Sequence, residues 1–269
     1  PAKTTPGPRR EANAPYVMMP TETLSQDFVI GNEYGMHARP AALFVKCASR
    51  FAAEIANNDV VLACLFQHDK SLAQGQILPP RVRQEQTNGQ HALHHFAGFN
   101  ASIAKLNAPA QGQGFINAIL DVDGIIRKAA LLSEYRGQLY PSLALETFRV
   151  YSFADTIEPV WHREQEQLFL SGVKLGTEIL ATDNRGQLLI PYKGPVKSYP
   201  YSSASDIINA RIPDQRFDGA VVFIGTSSVG MADLRSTPVS LVYPGIEIHA
   251  NVFDALTQPT QQVVQPHWW

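Results

Sequence analysis

This sequence predicts an α/β fold, a mixed β-sheet with flanking helices and two β-hairpins, on three observations. Residues 60–66 and 220–224 are unbroken apolar runs of the length of a buried strand. Residues 40–57, 141–151 and 245–256 repeat apolar side chains at the three-to-four spacing of a helix face. Asp-Gly at 123–124 and Asn-Arg-Gly at 184–186 each stand between apolar runs, where glycine accepts the positive φ that a hairpin turn demands.

In chain order, residues 1–27 are rich in proline and charge and read as a linker. A short strand is expected from Asp27 to Ile30. A helix follows from Pro40, which suits a first turn, through Phe44, Ala48, Phe51 and Ile55. After the strand at 60–66, residues 67–98 are rich in Gln, Pro and His without periodicity and predict a long surface excursion. One hairpin is expected between 115–120 and 125–132, a second between 177–181 and 187–190. Ser205 to Ile208 opens a short helix, and Gly245 to Leu256 carries Ile246, Ala250, Phe253 and Leu256 at helical spacing. Strands mixed with helices in this way give a mixed sheet.

Composition narrows function. The 269 residues are 45% hydrophobic and 17% charged, as in a globular protein, with a formal net charge of −2. No basic excess exists to neutralise a phosphate backbone, so no nucleic-acid partner is expected. The apolar runs are far shorter than the roughly 20 residues of a membrane helix. The chain begins at Pro1, which reads as a processed or trimmed fragment. It ends on Trp268-Trp269, either the approach to a membrane interface or an aromatic tail folded back on the domain. Cys47 falls on the expected helix and Cys64 in an apolar strand; buried thiols are favoured over a disulfide.

Several residues have the chemistry of a site. Asp121 and Asp123 are a carboxylate pair, but the further oxygens of a calcium loop are missing, so a turn is the better reading. The loop Gly225 to Gly230 follows a buried strand yet has neither the Lys-Ser/Thr of a phosphate-cradling loop nor the second glycine of a nucleophile elbow. Ser227, Asp233, Glu247 and His249 supply the residue types of a hydrolase triad without that elbow. His91, His94 and His95 have no Cys or clear carboxylate partner nearby in sequence, so an exposed loop is expected there and no metal. His37, before a helix start and beside Arg39, could hold a phosphoryl group against free helix amides.

Two resemblances organise these residues. Gly35-Met36-His37-Ala38-Arg39-Pro40-Ala41-Ala42, with residues 28–55 around it, resembles the active-site strand and helix of the histidine-containing phosphocarrier protein of the sugar phosphotransferase system. That likeness implies His37 as phosphoacceptor and Arg39 as its partner.

The second covers far more of the chain. From residue 58 to 265 it resembles the second type of CHASE domain, the extracellular sensory regions fused to nucleotide cyclases and histidine kinases. The likeness rests on Gly114-Phe115-Ile116-Asn117, Asp121 to Arg127, Pro141 to Leu145, Leu189 to Gly194, Phe217 to Ser227, Asp233, Thr237-Pro238 and Pro244 to Asn251. Family members begin with a further strand and helix carrying an acidic and Trp-Pro pattern; here the phosphocarrier-like stretch stands in that place.

The domains expected are therefore a linker over 1–27, a phosphocarrier-like segment over 28–57 packed on the main body, and a sensor domain over 58–269. The second likeness implies an extracytoplasmic input domain with no catalytic centre and no cofactor. It further implies a tether to the inner membrane beyond Trp269 and relay of an unknown small-molecule or protein stimulus to a cyclase or kinase, and it allows a homodimer. Candidates for ligand contact or signal relay are Asp121, Asp123, Arg127, Ser227, Asp233 and His249. Phosphocarrier activity at His37 and a Ser-dependent hydrolase are the alternatives.

Overall fold

The computed structural model describes residues 23–27, 59–84, 91–165, 167–226 and 234–258. Strands dominate. The first half holds β1 (Thr23–Asp27), β2 (Val61–Gln67), β3 (Ala73–Gln74), β4 (His95–Phe96), β5 (Gly98–Asn100), α1 (Ala104–Asn107), β6 (Gly112–Phe115), β7 (Lys128–Ala130), β8 (Leu132–Tyr135) and β9 (Gln138–Pro141). Then come α2 (Leu143–Tyr151), β10 (Glu158–Glu164), β11 (Gln167–Leu175), β12 (Glu178–Ala181) and β13 (Gln187–Leu189). The chain continues through β14 (Tyr201–Ser203), α3 (Ala204–Ile208), a 3₁₀ turn (Asp214–Phe217), β15 (Val221–Gly225), β16 (Leu234–Thr237), β17 (Ser240–Pro244) and α4 (Gly245–Thr257).

The α/β class and the mixture of strand directions are as expected, although the strands form several small sheets. β1 lies between β14 and β15, parallel to both. β2 is flanked by β6 in parallel and β5 antiparallel, with β3 beyond β5. The orders β10-β11-β12 and β4-β8-β9, and the pairs β7-β13 and β16-β17, complete the set. β1 occupies residues placed in the linker by composition; of the strand expected at 27–30 only Asp27 is described, and the expected helix at 40–57 lies outside the described residues.

The two turns are where the sequence puts them, but neither opens a hairpin. At each, an Asp N–H reaches the carbonyl four residues on and the Gly N–H returns to the Asp carbonyl (Asp121 with Ile125 and Gly124; Asp183 with Gln187 and Gly186). The chains leaving the turns pair elsewhere, β6 with β2, β12 with β11, and β7 with β13. A local turn signal fixes the reversal of the chain and not the partner of its arms. The antiparallel hairpins are β8-β9, β10-β11, β11-β12 and β16-β17.

α4 is the centre of the body. Eleven of its thirteen residues are buried, as befits a helix apolar on nearly every side. One flank meets β15 and β1, and another meets α2, whose far side packs on β6 and β2. Phe253 joins these layers, edge-on to Phe223, Phe148 and Tyr151 at centroid distances of 5.8, 6.3 and 5.5 Å. Burying such a side chain contributes roughly 2–3 kcal/mol. A second, aromatic core gathers on Phe66, stacked against Phe96 and Tyr135 and edge-on to Tyr140. Cys64 sits in it as a free thiol, its pKa pushed up to about 12 by burial.

Candidate functional site

The sequence of α4, Gly-Ile-Glu-Ile-His-Ala-Asn, does two jobs. One face holds a loop. Glu247, fully buried, accepts hydrogen bonds from the backbone N–H of Lys197 (3.1 Å) and Ser198 (3.0 Å) and from the Tyr201 hydroxyl (2.6 Å). One turn later Asn251 accepts from the Lys193 N–H at 2.8 Å and donates to the Tyr243 hydroxyl at 3.0 Å and the Glu247 carbonyl at 2.7 Å. These residues anchor the segment from β13 to β14. They are structural, so Glu247 takes no part in a triad.

The other face borders a cavity. Gly245, Ile248, His249 and Val252 recur at helical spacing and form one wall. Phe115 to Ala118, Ile126, β7 and Ser142 form the opposite wall, and Arg235 of β16 closes an end. The volume is about 30 Å³. Of the polar groups here, Asn117 is committed to both backbone groups of Phe66, and Lys128 is paired with Asp183 at 2.9 Å. Ser142 caps α2 by accepting from the Leu145 N–H. His249 is different: among the described residues its ring has no hydrogen-bond partner, although it lines the cavity. Burial lowers its pKa from 6.5 to about 4, so the imidazole is neutral at physiological pH.

Three predicted site residues do come together, beside this cavity. Arg127 donates to Asp121 at 2.8 Å and to both carboxylate oxygens of Asp123 at 2.9 and 2.7 Å. The hydrogen bond from Arg127, helped by the Ile125 N–H, lowers the Asp123 carboxyl to about 2. The cluster is exposed and its charges are mutually satisfied, which is the chemistry of a braced turn. The turn is fixed to its surroundings, because the Ile126 N–H reaches the Ser236 carbonyl at 2.9 Å and the Ile126 carbonyl accepts from the Tyr192 hydroxyl at 2.8 Å. Ser227, Asp233, His37 and Arg39 lie outside the described residues.

One grouping was hidden from sequence reasoning. The segment 91–96 is no exposed loop: β4 pairs with β8 so that His95 stands opposite Glu134, and His91 bridges to Leu168 of β11. His91, His95 and Glu134 each bring one donor atom to within 4.8 Å of the others. The only sequence signal is the four-residue spacing of the histidines; the carboxylate comes from a distant strand.

The sequence profile of the CHASE2 domain matches residues 23–269. That span reaches back across residues 28–57 to β1. No curated protein and no solved structure matches the chain. The match covers nearly the whole sequence, and the chain belongs to the CHASE2 family, whose members are extracellular sensor domains of signalling proteins.

Proposed function

We propose, from that membership as premise, that the domain perceives its stimulus at the cavity beside α4 and relays it to a cytoplasmic cyclase or kinase. Membrane segments beyond Trp269 would supply the tether. The observation that carries this reading is His249, a neutral imidazole that lines the cavity and has no hydrogen-bond partner among the described residues. A partly buried imidazole with no protein partner is free to hydrogen-bond a polar ligand or an ordered water in the cavity.

Size supplies the coupling. A water needs roughly 10–15 Å³ of such space, so about 30 Å³ holds two waters or so and nothing larger. A larger polar molecule enters only if α4 moves from the wall formed by Ile126 and β7. Since α4 also packs on β15, β1 and α2, its displacement shifts the whole body. A ligand favouring the displaced state moves the population toward it by its differential affinity for the two states. Among the described residues no helix is long and apolar enough to cross a membrane.

The test is His249→Phe in the full-length protein that carries the domain, with cyclic-nucleotide production or autophosphorylation as the readout. The variant fills the cavity and removes both ring nitrogens. Its output should stop responding to conditions that modulate the parent, and a parental response would overturn the assignment.

A further inference from the structure

We propose that His91, His95 and Glu134 form a binding site for a divalent transition-metal ion of the zinc class. This inference is independent of the cavity at α4.

The three donor atoms lie within 4.8 Å of one another, close enough for three positions of a tetrahedral shell after side-chain adjustment. Glu134 Oε2 lies 2.8 Å from His91 Nε2 and 3.3 Å from His95 Nδ1. Ligands at about 2.0–2.1 Å from a tetrahedral ion stand roughly 3.3 Å apart, so modest side-chain shifts create the set. Two imidazoles and one carboxylate suit zinc and its neighbours, leaving the fourth position to water.

His91 is the independent pointer to a ligand. Its side chain is 0% exposed, yet neither ring nitrogen makes an aligned hydrogen bond, the 2.8 Å approach to Glu134 being off the required line. A fully buried imidazole that meets a carboxylate only at close approach, with its Nδ1 unpaired among the described residues, has capacity left for a ligand.

The surroundings complete the case. The Gly137 N–H donates to Glu134 Oε1 at 3.2 Å, leaving Oε2 for the histidines, as outer partners orient a metal's carboxylate. Trp161 stacks on His91 at 5.6 Å and covers the inner side. His95, 47% exposed, provides the entry path. A bound ion would cross-link β4 to β8 and fasten the 91–96 segment to the body.

The experiment is calorimetric titration of the metal-free chain with Zn²⁺, with Co²⁺ absorption as a report of coordination. Expected is saturable binding in the micromolar range or tighter, with tetrahedral Co²⁺ bands. His95→Ala and Glu134→Gln should each weaken it by roughly tenfold or more. His95 is half-exposed, so its variant keeps the fold, which far-ultraviolet circular dichroism verifies. His162→Ala, at the exposed His162–Glu164 pair 3.3 Å apart, should change nothing and controls for adventitious surface binding. Absence of saturable binding, or unchanged affinity in His95→Ala and Glu134→Gln, would overturn the site.

Discussion

Glu247 and the Asp121–Asp123 pair are carboxylates from the same kind of family-like block, yet they behave as opposites. Glu247 lies in the interior and takes its hydrogen bonds from backbone N–H groups and a tyrosine, so it holds up a loop. Asp121 and Asp123 stand at the surface and are answered by Arg127 from the same short segment, so they hold only themselves. Charge alone does not rank a residue. What a carboxylate contributes depends on how far away in sequence its donors lie and on how much water it has lost.

Three changes would break or sharpen that contrast. The largest effect is expected for Glu247→Ala, which strands two backbone N–H groups and the Tyr201 hydroxyl. Loss of hydrogen bonds to a buried charged group should cost about 3 kcal/mol, read as a lower urea midpoint. A midpoint unchanged from the parent would erase the distinction between interior and surface.

The second expectation concerns His249, on the same helix. Its pKa falls from 6.5 unfolded to about 4 folded. Stability is therefore whole above pH 6.5 and drains as pH drops toward 4, because the unfolded chain takes up a proton that the native state refuses. The linkage ceiling is ~3 kcal/mol, and the side chain's residual accessibility brings the expected loss to about 2 kcal/mol. His91 and His94 also have lowered pKa values, so the parent's slope is composite. His249→Phe should remove only this share, seen as a smaller change in urea midpoint between pH 7 and pH 4.5. Identical slopes in parent and variant would show that the imidazole is not desolvated.

The smallest effect is expected at Arg127→Ala. The urea midpoint should stay where it is, while the Asp123 carboxyl, followed by NMR titration, rises from about 2 toward its ordinary 3.8. A large loss of stability would show that the surface turn supports the cavity wall as strongly as the helix does.

What could be read from the sequence was what local chemistry determines. The apolar runs became β2 and β15, although each buries mainly one face, with Cys64, Phe66 and Phe223 inside and Ala63 and Ile224 exposed. Two of the three periodic stretches became α2 and α4, because a helical stripe leaves its mark on the residues themselves. The partners of the strands left no such mark, which is why the two Asp turns were found and their hairpins were not.

The stretch from 67 to 98 failed for a different reason. Its Gln, Pro and His residues without periodicity signalled solvent, yet side-chain amides in and beside it do the work of a ladder. Gln113 accepts from the Leu78 N–H at 2.9 Å, and Gln84 pairs with both backbone groups of Leu139. Val82 and Leu93 are buried beneath them. Of the site, His249 was named among the candidates, but its isolation was invisible until its neighbours were placed. Glu134 carried no signal at all, since only the β4-β8 register brings it to the histidines.

The position of β1 bears on the order in which such a domain can fold. Both its neighbours, Tyr201–Ser203 and Val221–Gly225, come from late in the chain. A chain made from its N-terminus delivers this strand early, and neither of these two neighbours exists until residues 201–203 have followed. Contacts this distant in sequence form slowly because a long loop has to close first. Until that loop closes, the two open edges of β1 are a template on which another strand can pair.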